Sequence, residues 1–216
     1  MEKDFWLDIW ETNTIGFHQY DYNQFLKEHF PEWKGDQESS IFVPLCGKSK
    51  DMLFLREFGD VIGSELIDIA CQDFFKENDV EHEVTTLESG YKHYKADKLD
   101  ILQGDFFGLP EHHLADCQLI YDRAAIIALP VEMRKRYVER LREVFPKGTR
   151  LFLVTLEYPG DAMDGPPHNV SEQEVNELFA GCDIQRIATI DITGKKFARL
   201  RFDLEWIYEG LYFITF

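Results

Sequence analysis

Ile41-Phe42-Val43-Pro44-Leu45-Cys46-Gly47-Lys48-Ser49 is a short apolar run that breaks at a glycine, and a helical pattern follows it through Phe58. A brief apolar run bounded by a turn residue reads as a buried strand, and Gly47 lets the backbone turn tightly and approach a ligand. The same sequence of events recurs at Val61 to Glu65, followed by a helical stretch from about Asp68 to Glu77. Leu119 to Tyr121 and Leu151 to Leu156 are further buried-strand candidates. Between them, Glu132 to Phe145 is amphipathic, with Met133, Tyr137, Leu141 and Val144 along one side and Pro146-Lys147-Gly148 as a stop. Tyr91 to Asp105 reads as a hairpin, with Tyr94 on one arm and Leu99, Ile101 and Leu102 on the other. Ser171 and Glu174 form a capping box that opens a later helix. The chain closes on two consecutive strands, Ile184 to Ile192 and Glu209 to Phe216. Strands alternating with helices predict an α/β fold, with a mostly parallel sheet, helices on both faces and an antiparallel edge.

Composition sets the outer limits. A chain of 216 residues suits one domain, and 44% hydrophobic and 14% aromatic residues supply its core. The formal charge of −17 repels phosphate backbones and anionic lipid, which disfavours nucleic-acid and membrane partners. Met1 to Trp10 is charged and amphipathic, unlike a secretory leader, and no stretch has the roughly 20 apolar residues of a membrane span. Cys46, Cys71, Cys117 and Cys182 form no paired motif and read as reduced thiols of a cytoplasmic protein. Phe5, Trp6, Ile9 and Trp10 fall on one face of an N-terminal helix, and Pro31 to Ser40 reads as a polar loop.

In doubly wound sheets, ligands bind beyond the carboxyl ends of the strands, where the motifs of this chain cluster. Gly47-Lys48-Ser49 resembles part of a phosphate-binding loop, but Phe42 occupies the position where that loop needs its first glycine, and the G-x-G-x-x-G fingerprint is absent. Glu65 ends the second strand, where an acid can accept hydrogen bonds from ribose hydroxyls or merely face solvent. Asp105 and Phe106, in Gly104-Asp105-Phe106-Phe107, read as adenine contacts or as a turn followed by core aromatics. Asp122 and Arg123 end a strand as a structural ion pair or as a pair facing the site.

Five segments in order resemble the thiopurine S-methyltransferases, most closely the bacterial branch. They are Gly16-Phe17-His18-Gln19, the run Val43 to Met52, Gly104 to Phe107, Tyr121-Asp122-Arg123-Ala124-Ala125 and Met163-Asp164-Gly165-Pro166-Pro167. The resemblance implies a Rossmann-like class I methyltransferase with a seven-stranded sheet, one domain over 1–216, and residues 1–35 as a helical lid. It implies S-adenosylmethionine as methyl donor, contacted by Trp10, Leu45, Gly47, Glu65, Asp105, Phe106 and Arg123. It also implies an acceptor pocket with Trp6, Phe17 and Arg123, and a second arginine in the segment Lys195 to Arg201, assigned to Arg199. Ser64 and His168 depart from the family pattern, which usually has a small apolar residue and Phe or Tyr there.

The reaction this implies is in-line transfer of methyl to a small thiol such as a thiopurine or aromatic thiol, with Arg123 favouring the thiolate. Guanidinium stays protonated, so Arg123 is no general base. Two other readings are a methyltransferase for selenium and tellurium compounds such as selenite and tellurite, and a non-catalytic module that binds S-adenosylmethionine. The seven histidines are scattered and the adjacent His112-His113 are poorly placed for one metal, so no metal is expected. The family precedent implies a monomer.

Overall fold

A computed structural model describes residues 3–160, 162–197, 200–201 and 203–216, with the side chains of 196–197 and 200–201 left aside. Two helices lead, α1 (Lys3–Glu11) and α2 (Gln24–Lys34), followed by β1 (Ser40–Val43), α3 (Asp51–Leu55), β2 (Val61–Glu65) and α4 (Asp68–Glu77). Three strands come next, β3 (Glu83–Thr86), β4 (Lys92–Ala96) and β5 (Leu99–Gln103), then β6 (Cys117–Arg123), α5 (Ala125–Ala128) and α6 (Val131–Val144). The remainder is β7 (Arg150–Glu157), α7 (Glu172–Leu178), β8 (Asp183–Asp191), the two-residue strands β9 (Lys196–Phe197) and β10 (Leu200–Arg201), and β11 (Tyr208–Thr215).

The main sheet runs β3-β4-β5-β2-β1-β6-β7-β11-β8. Neighbours from β5 to β7 are parallel, and β11 runs antiparallel to both β7 and β8. The expected α/β architecture is present, but with nine strands rather than seven. The two additional strands are the antiparallel pair β3 and β4, appended beside β5. All four residues of β3 are exposed, so no hydrophobic alternation announces it. The final two strands pair as expected, and β11 inserts between β7 and β8, so the antiparallel strand is not the outermost one.

Period-two alternation feeds two cores. Ile41, Val43, Leu119, Tyr121, Phe152 and Val154 face α2, α3 and α4, while Phe42, Ile120, Leu151 and Leu153 face α6 and α7. Two local readings change under this packing. Pro31 lies inside α2 rather than opening a loop, because Trp33 is drawn into a ring cluster with Phe30, Phe152 and Phe213. In α6 the buried stripe is Arg134, Tyr137, Val138 and Leu141, with Met133 and Val144 only half-buried. Arg134 is tolerated there because its guanidinium group donates to the carbonyls of Leu129 and Asn169 and pairs with Glu174. The capping box forms in half: Ser171 Oγ accepts from the Glu174 amide, and the Glu174 side chain turns to Arg134.

Connections leave β1 toward β2 and β5 on one side and toward β6 and β7 on the other. The strand order therefore reverses between β1 and β6, and this crevice is where doubly wound sheets bind ligands.

Candidate active site

At the carboxyl ends of β1, β2 and β6 lies a cavity with about 790 Å³ of empty space, counting its open mouth. Trp6, Trp10, Phe17, Leu45, Gly47, Glu65 and Arg123 all line it. Seven residues from five stretches of sequence thus meet in one place.

The floor is the turn after β1. Leu45 adopts a left-handed backbone, φ 45°, and Gly47 another, φ 53°. A non-glycine residue pays a steric cost for that conformation, and local hydrogen bonds hold it. The Leu45 amide donates to Ser64 Oγ at 3.3 Å and the Cys46 amide to the Ser64 carbonyl at 2.9 Å. Ser64, a departure from the family pattern, thereby secures the turn. A Cβ on Gly47 would stand 3.3 Å from the Trp10 ring, so the indole lies directly on the turn.

Glu65 ties the tips of β1 and β2 together. Its two carboxylate oxygens accept from the amides of Gly47 and Ile67, each at 2.8 Å. Burial pushes its carboxyl up from 4.5 to about 7, outweighing those amides, which favour the charged form. A carboxylate has about four lone-pair sites, so two remain for a ligand. Burial also raises the Cys46 thiol, and Glu65 adds to the effect, which keeps this cavity-lining thiol neutral and unreactive.

The lid is aromatic. Phe17 meets Trp6 and Trp10 edge-on, with ring centroids 6.0 Å apart in both pairs. Trp10, Ile15, Ile67 and Ala70 form a small core that seats α1 on α4. Leu7 joins this face, whereas Phe5, expected on it, is exposed. Lys48 is buried beneath Trp10, 5.9 Å from the ring centroid, and pairs with Glu77 at 2.6 Å and Asp73 at 3.5 Å. It thus fastens lid and α4 to the turn, a task unlike that of a phosphate-loop lysine. Pro166 and Pro167 close the far wall, held by the His168 amide on the Ile127 carbonyl and by Tyr158 OH on the Pro167 carbonyl.

Asp122 and Arg123 do not pair with each other. Asp122 is fully buried and accepts from the amides of Ala125 and Ile126 and from Tyr137 OH, capping α5. Arg123 turns into the cavity, with Nε on Asp51 Oδ2 at 3.2 Å and Nη2 on Ser49 Oγ at 3.2 Å. Nearby anions, Asp51 foremost, outweigh burial and hold the guanidinium charge firmly.

Asp105 and Phe106 stand outside the cavity lining. Phe106 is buried, stacks on Phe42 at 5.9 Å and packs against Tyr137. Asp105 is exposed, and its carboxylate accepts from the Phe107 amide. The Gly104 amide donates to the Glu65 carbonyl at 2.8 Å, so this turn abuts the tip of β2. Arg199 lies outside the described residues. Cavity residues given no role from sequence include Cys46, Lys48, Ser49, Leu66 and Ile127. Cys46, Lys48 and Ser49 lie inside a quoted motif, and Leu66 and Ile127 follow Glu65 and Ala125 by one and two residues, so proximity to the strand tips was the available signal. Among the described residues no group of three or more His, Cys, Asp or Glu is placed to hold a metal, and no helix is long and apolar enough to cross a membrane.

The family model for Thiopurine S-methyltransferase (TPMT) matches residues 1–215. The chain belongs to the thiopurine S-methyltransferase family. It is 40% identical over 216 residues to the thiopurine S-methyltransferase of Pseudomonas aeruginosa, covering 99% of each chain. It is 44% identical over 180 residues to that of Marinobacter nauticus, covering 83% of this chain and 82% of the relative. The fold is shared with a SAM-dependent methyltransferase from Anabaena variabilis, with TM-score 0.68, 16% identity, and 99% and 94% of the two chains covered. It is also shared with a magnesium protoporphyrin IX methyltransferase from Synechocystis with bound SAH, with TM-score 0.60, 12% identity, and 100% and 99% covered. As a member of this family, the chain is an enzyme, an S-adenosylmethionine-dependent methyltransferase.

Proposed function

We propose that this enzyme transfers the methyl group of S-adenosylmethionine to a small thiol, of the thiopurine or aromatic thiol class. The observation that carries the reading is that Leu45, Glu65 and Arg123, from three strand ends, line one cavity under an aromatic lid. The residues fit the donor. Glu65 offers spare lone pairs to a ribose diol, and Leu45, Gly47 and Trp10 line the cavity beside it. The turn of Asp105 and Phe106, tied to the Glu65 carbonyl through Gly104, flanks the adenine end.

S-adenosylmethionine supplies a methyl group already activated on a sulfonium. The protein's work is then alignment and exclusion of water. Trp6 and Phe17 present flat apolar surface to an aromatic acceptor. Arg123 stabilises the acceptor as thiolate while staying charged itself, so the acceptor's proton leaves to solvent or buffer. Residues 1–35 act as the lid of a single domain over 1–216, and Arg199 is carried as the second acceptor-side arginine. The enzyme works as a cytoplasmic monomer on small molecules, without nucleic-acid or membrane partners. The net charge of −17 supports the absence of nucleic-acid and anionic-membrane partners.

Calorimetry with S-adenosylhomocysteine, followed by methyl-transfer assays with 6-mercaptopurine, selenite and tellurite in parallel, tests the reading. Binding of the product and methylation of 6-mercaptopurine are expected. Methylation of selenite or tellurite alone would transfer the assignment to metalloid chemistry.

A further inference from the structure

Asp51 belongs to the motif that runs from Val43 to Met52, and its bond to Arg123 occupies only one of its carboxylate oxygens. It is 1% exposed, on α3 beneath the cavity floor. Its two oxygens face opposite ways. Oδ2 accepts from Arg123 Nε at 3.2 Å and from Tyr121 OH at 2.9 Å, while Oδ1 accepts from the backbone amide of Asn23 at 2.8 Å. Asn23 ends the segment that carries Phe17 and His18 into the cavity, and its own Oδ1 caps α2 by accepting from the Leu26 amide. Its Nδ2 donates to Glu209 Oε1 at 3.1 Å, reaching across 186 residues to β11. Glu209 is itself buried.

We infer that Asp51, together with Asn23 and Glu209, is the positioning device of the site: one carboxylate sets the Arg123 guanidinium and anchors the base of the aromatic lid. This rests on the role proposed above for Arg123. A single oxygen holding Nε fixes the plane of the guanidinium, and Ser49 Oγ on Nη2 fixes its rotation. Because the other oxygen holds the lid segment, an arginine in place and a seated lid are one arrangement rather than two.

The charges give the device a second consequence. The groups facing Arg123 among the described residues are Asp51 from α3, Tyr121 from β6, Ser49 from the β1 turn and Glu209 from β11, with Asn23 linking Asp51 to Glu209. Glu65, Lys48, Cys46 and His18 line the same cavity. In this cluster two carboxylates, Asp51 and Glu209, surround one guanidinium. Burial raises the Glu209 carboxyl, and the Arg123 charge opposes that. Removing the Glu209 charge makes the potential at an acceptor sulfur more positive, so the thiol ionises at lower pH.

The test uses the full chain with Asp51→Asn, Glu209→Gln and Arg123→Ala. Gln keeps an acceptor for Asn23 and removes only charge. Single-turnover methylation of 6-mercaptopurine in Asp51→Asn is expected to fall about 10²-fold, the scale of a misplaced reacting group, while S-adenosylhomocysteine binding holds. The Arg123 Nε–H resonance, assigned by its loss in Arg123→Ala, is expected to be protected from exchange in the wild type and to exchange fast in Asp51→Asn. In Glu209→Gln the acid limb of the rate profile is expected to move to lower pH, which a merely structural contact would not produce. If Asp51→Asn fails to fold, Glu209→Gln carries the test. An unmoved acid limb in Glu209→Gln, or a wild-type rate and a protected Nε–H in Asp51→Asn, overturns the inference. An Arg123→Ala variant of full activity instead removes the reading of Arg123 on which it rests.

Discussion

The two halves of the cavity are built differently. The half formed by β1 and β2 is held by backbone amides of the β1 turn that donate to side chains at the end of β2. The Gly47 amide reaches Glu65 across 18 residues, and the Leu45 amide reaches Ser64 across 19. The half around Arg123 is held by side chains from distant places: Asp51 is 72 residues away, and the Asn23 link to Glu209 spans 186. Backbone donors placed by strand geometry need only the right turn residue. Side-chain lattices need several separate elements to arrive together. The proposed donor half is thus the first and the proposed acceptor half the second.

The contrast can be broken most forcefully at Arg123. Arg123→Ala is expected to lower single-turnover transfer to an aromatic thiol by about 10²–10³-fold, the usual cost of losing one electrostatic stabiliser, with a much smaller loss of S-adenosylhomocysteine affinity. Equal losses of affinity and rate would show that the halves are not separable.

Next in size is the pH response of the donor half. Burial holds the empty Glu65 carboxyl near 7, and hydroxyls donating to it favour the ionised form. Affinity for S-adenosylhomocysteine should therefore weaken as pH falls through that value, by about tenfold between pH 8 and pH 6, as read by calorimetry. Glu65→Gln should flatten the profile. For folding the sign reverses. The folded state keeps a proton that the unfolded chain releases above 4.5, so the empty protein loses stability as pH rises from there toward about 7.

Gly47→Ala sharpens the comparison at a single carbon. It forces a side chain into a left-handed backbone beside the Trp10 ring, and a cost of about 1–2 kcal/mol is expected. The measurement is thermal unfolding with and without S-adenosylhomocysteine, and a normal melting curve would show that the turn relaxes. The smallest effect is expected at Ser64→Ala. Losing the acceptor for the Leu45 amide should cost about 1 kcal/mol by denaturant unfolding.

The parallel strands, α6 and the paired final strands were legible because each repeats a short-range hydrophobic period that burial on one or two faces demands. The antiparallel addition β3 was illegible because its side chains are all exposed and its pairing is backbone alone. Leu45, Gly47 and Glu65 could be read as a group because they end adjacent strands. Phe106 shows the limit: the same sequence suits a ligand contact or a core ring, and packing on Phe42 and Tyr137 places it in the core.

By itself the sequence determined the alternation of strand and helix, the turn at Gly47 and the family to which the chain resembled itself, since each resides in neighbouring residues. Only the tertiary structure decided that Asp122 caps a helix while Arg123 enters the cavity, that Ser64 secures the Leu45 turn, and that Asp51 joins arginine to lid. Those outcomes depend on which side chains meet across the sheet, and a buried polar group takes whichever partner the fold delivers within hydrogen-bond reach.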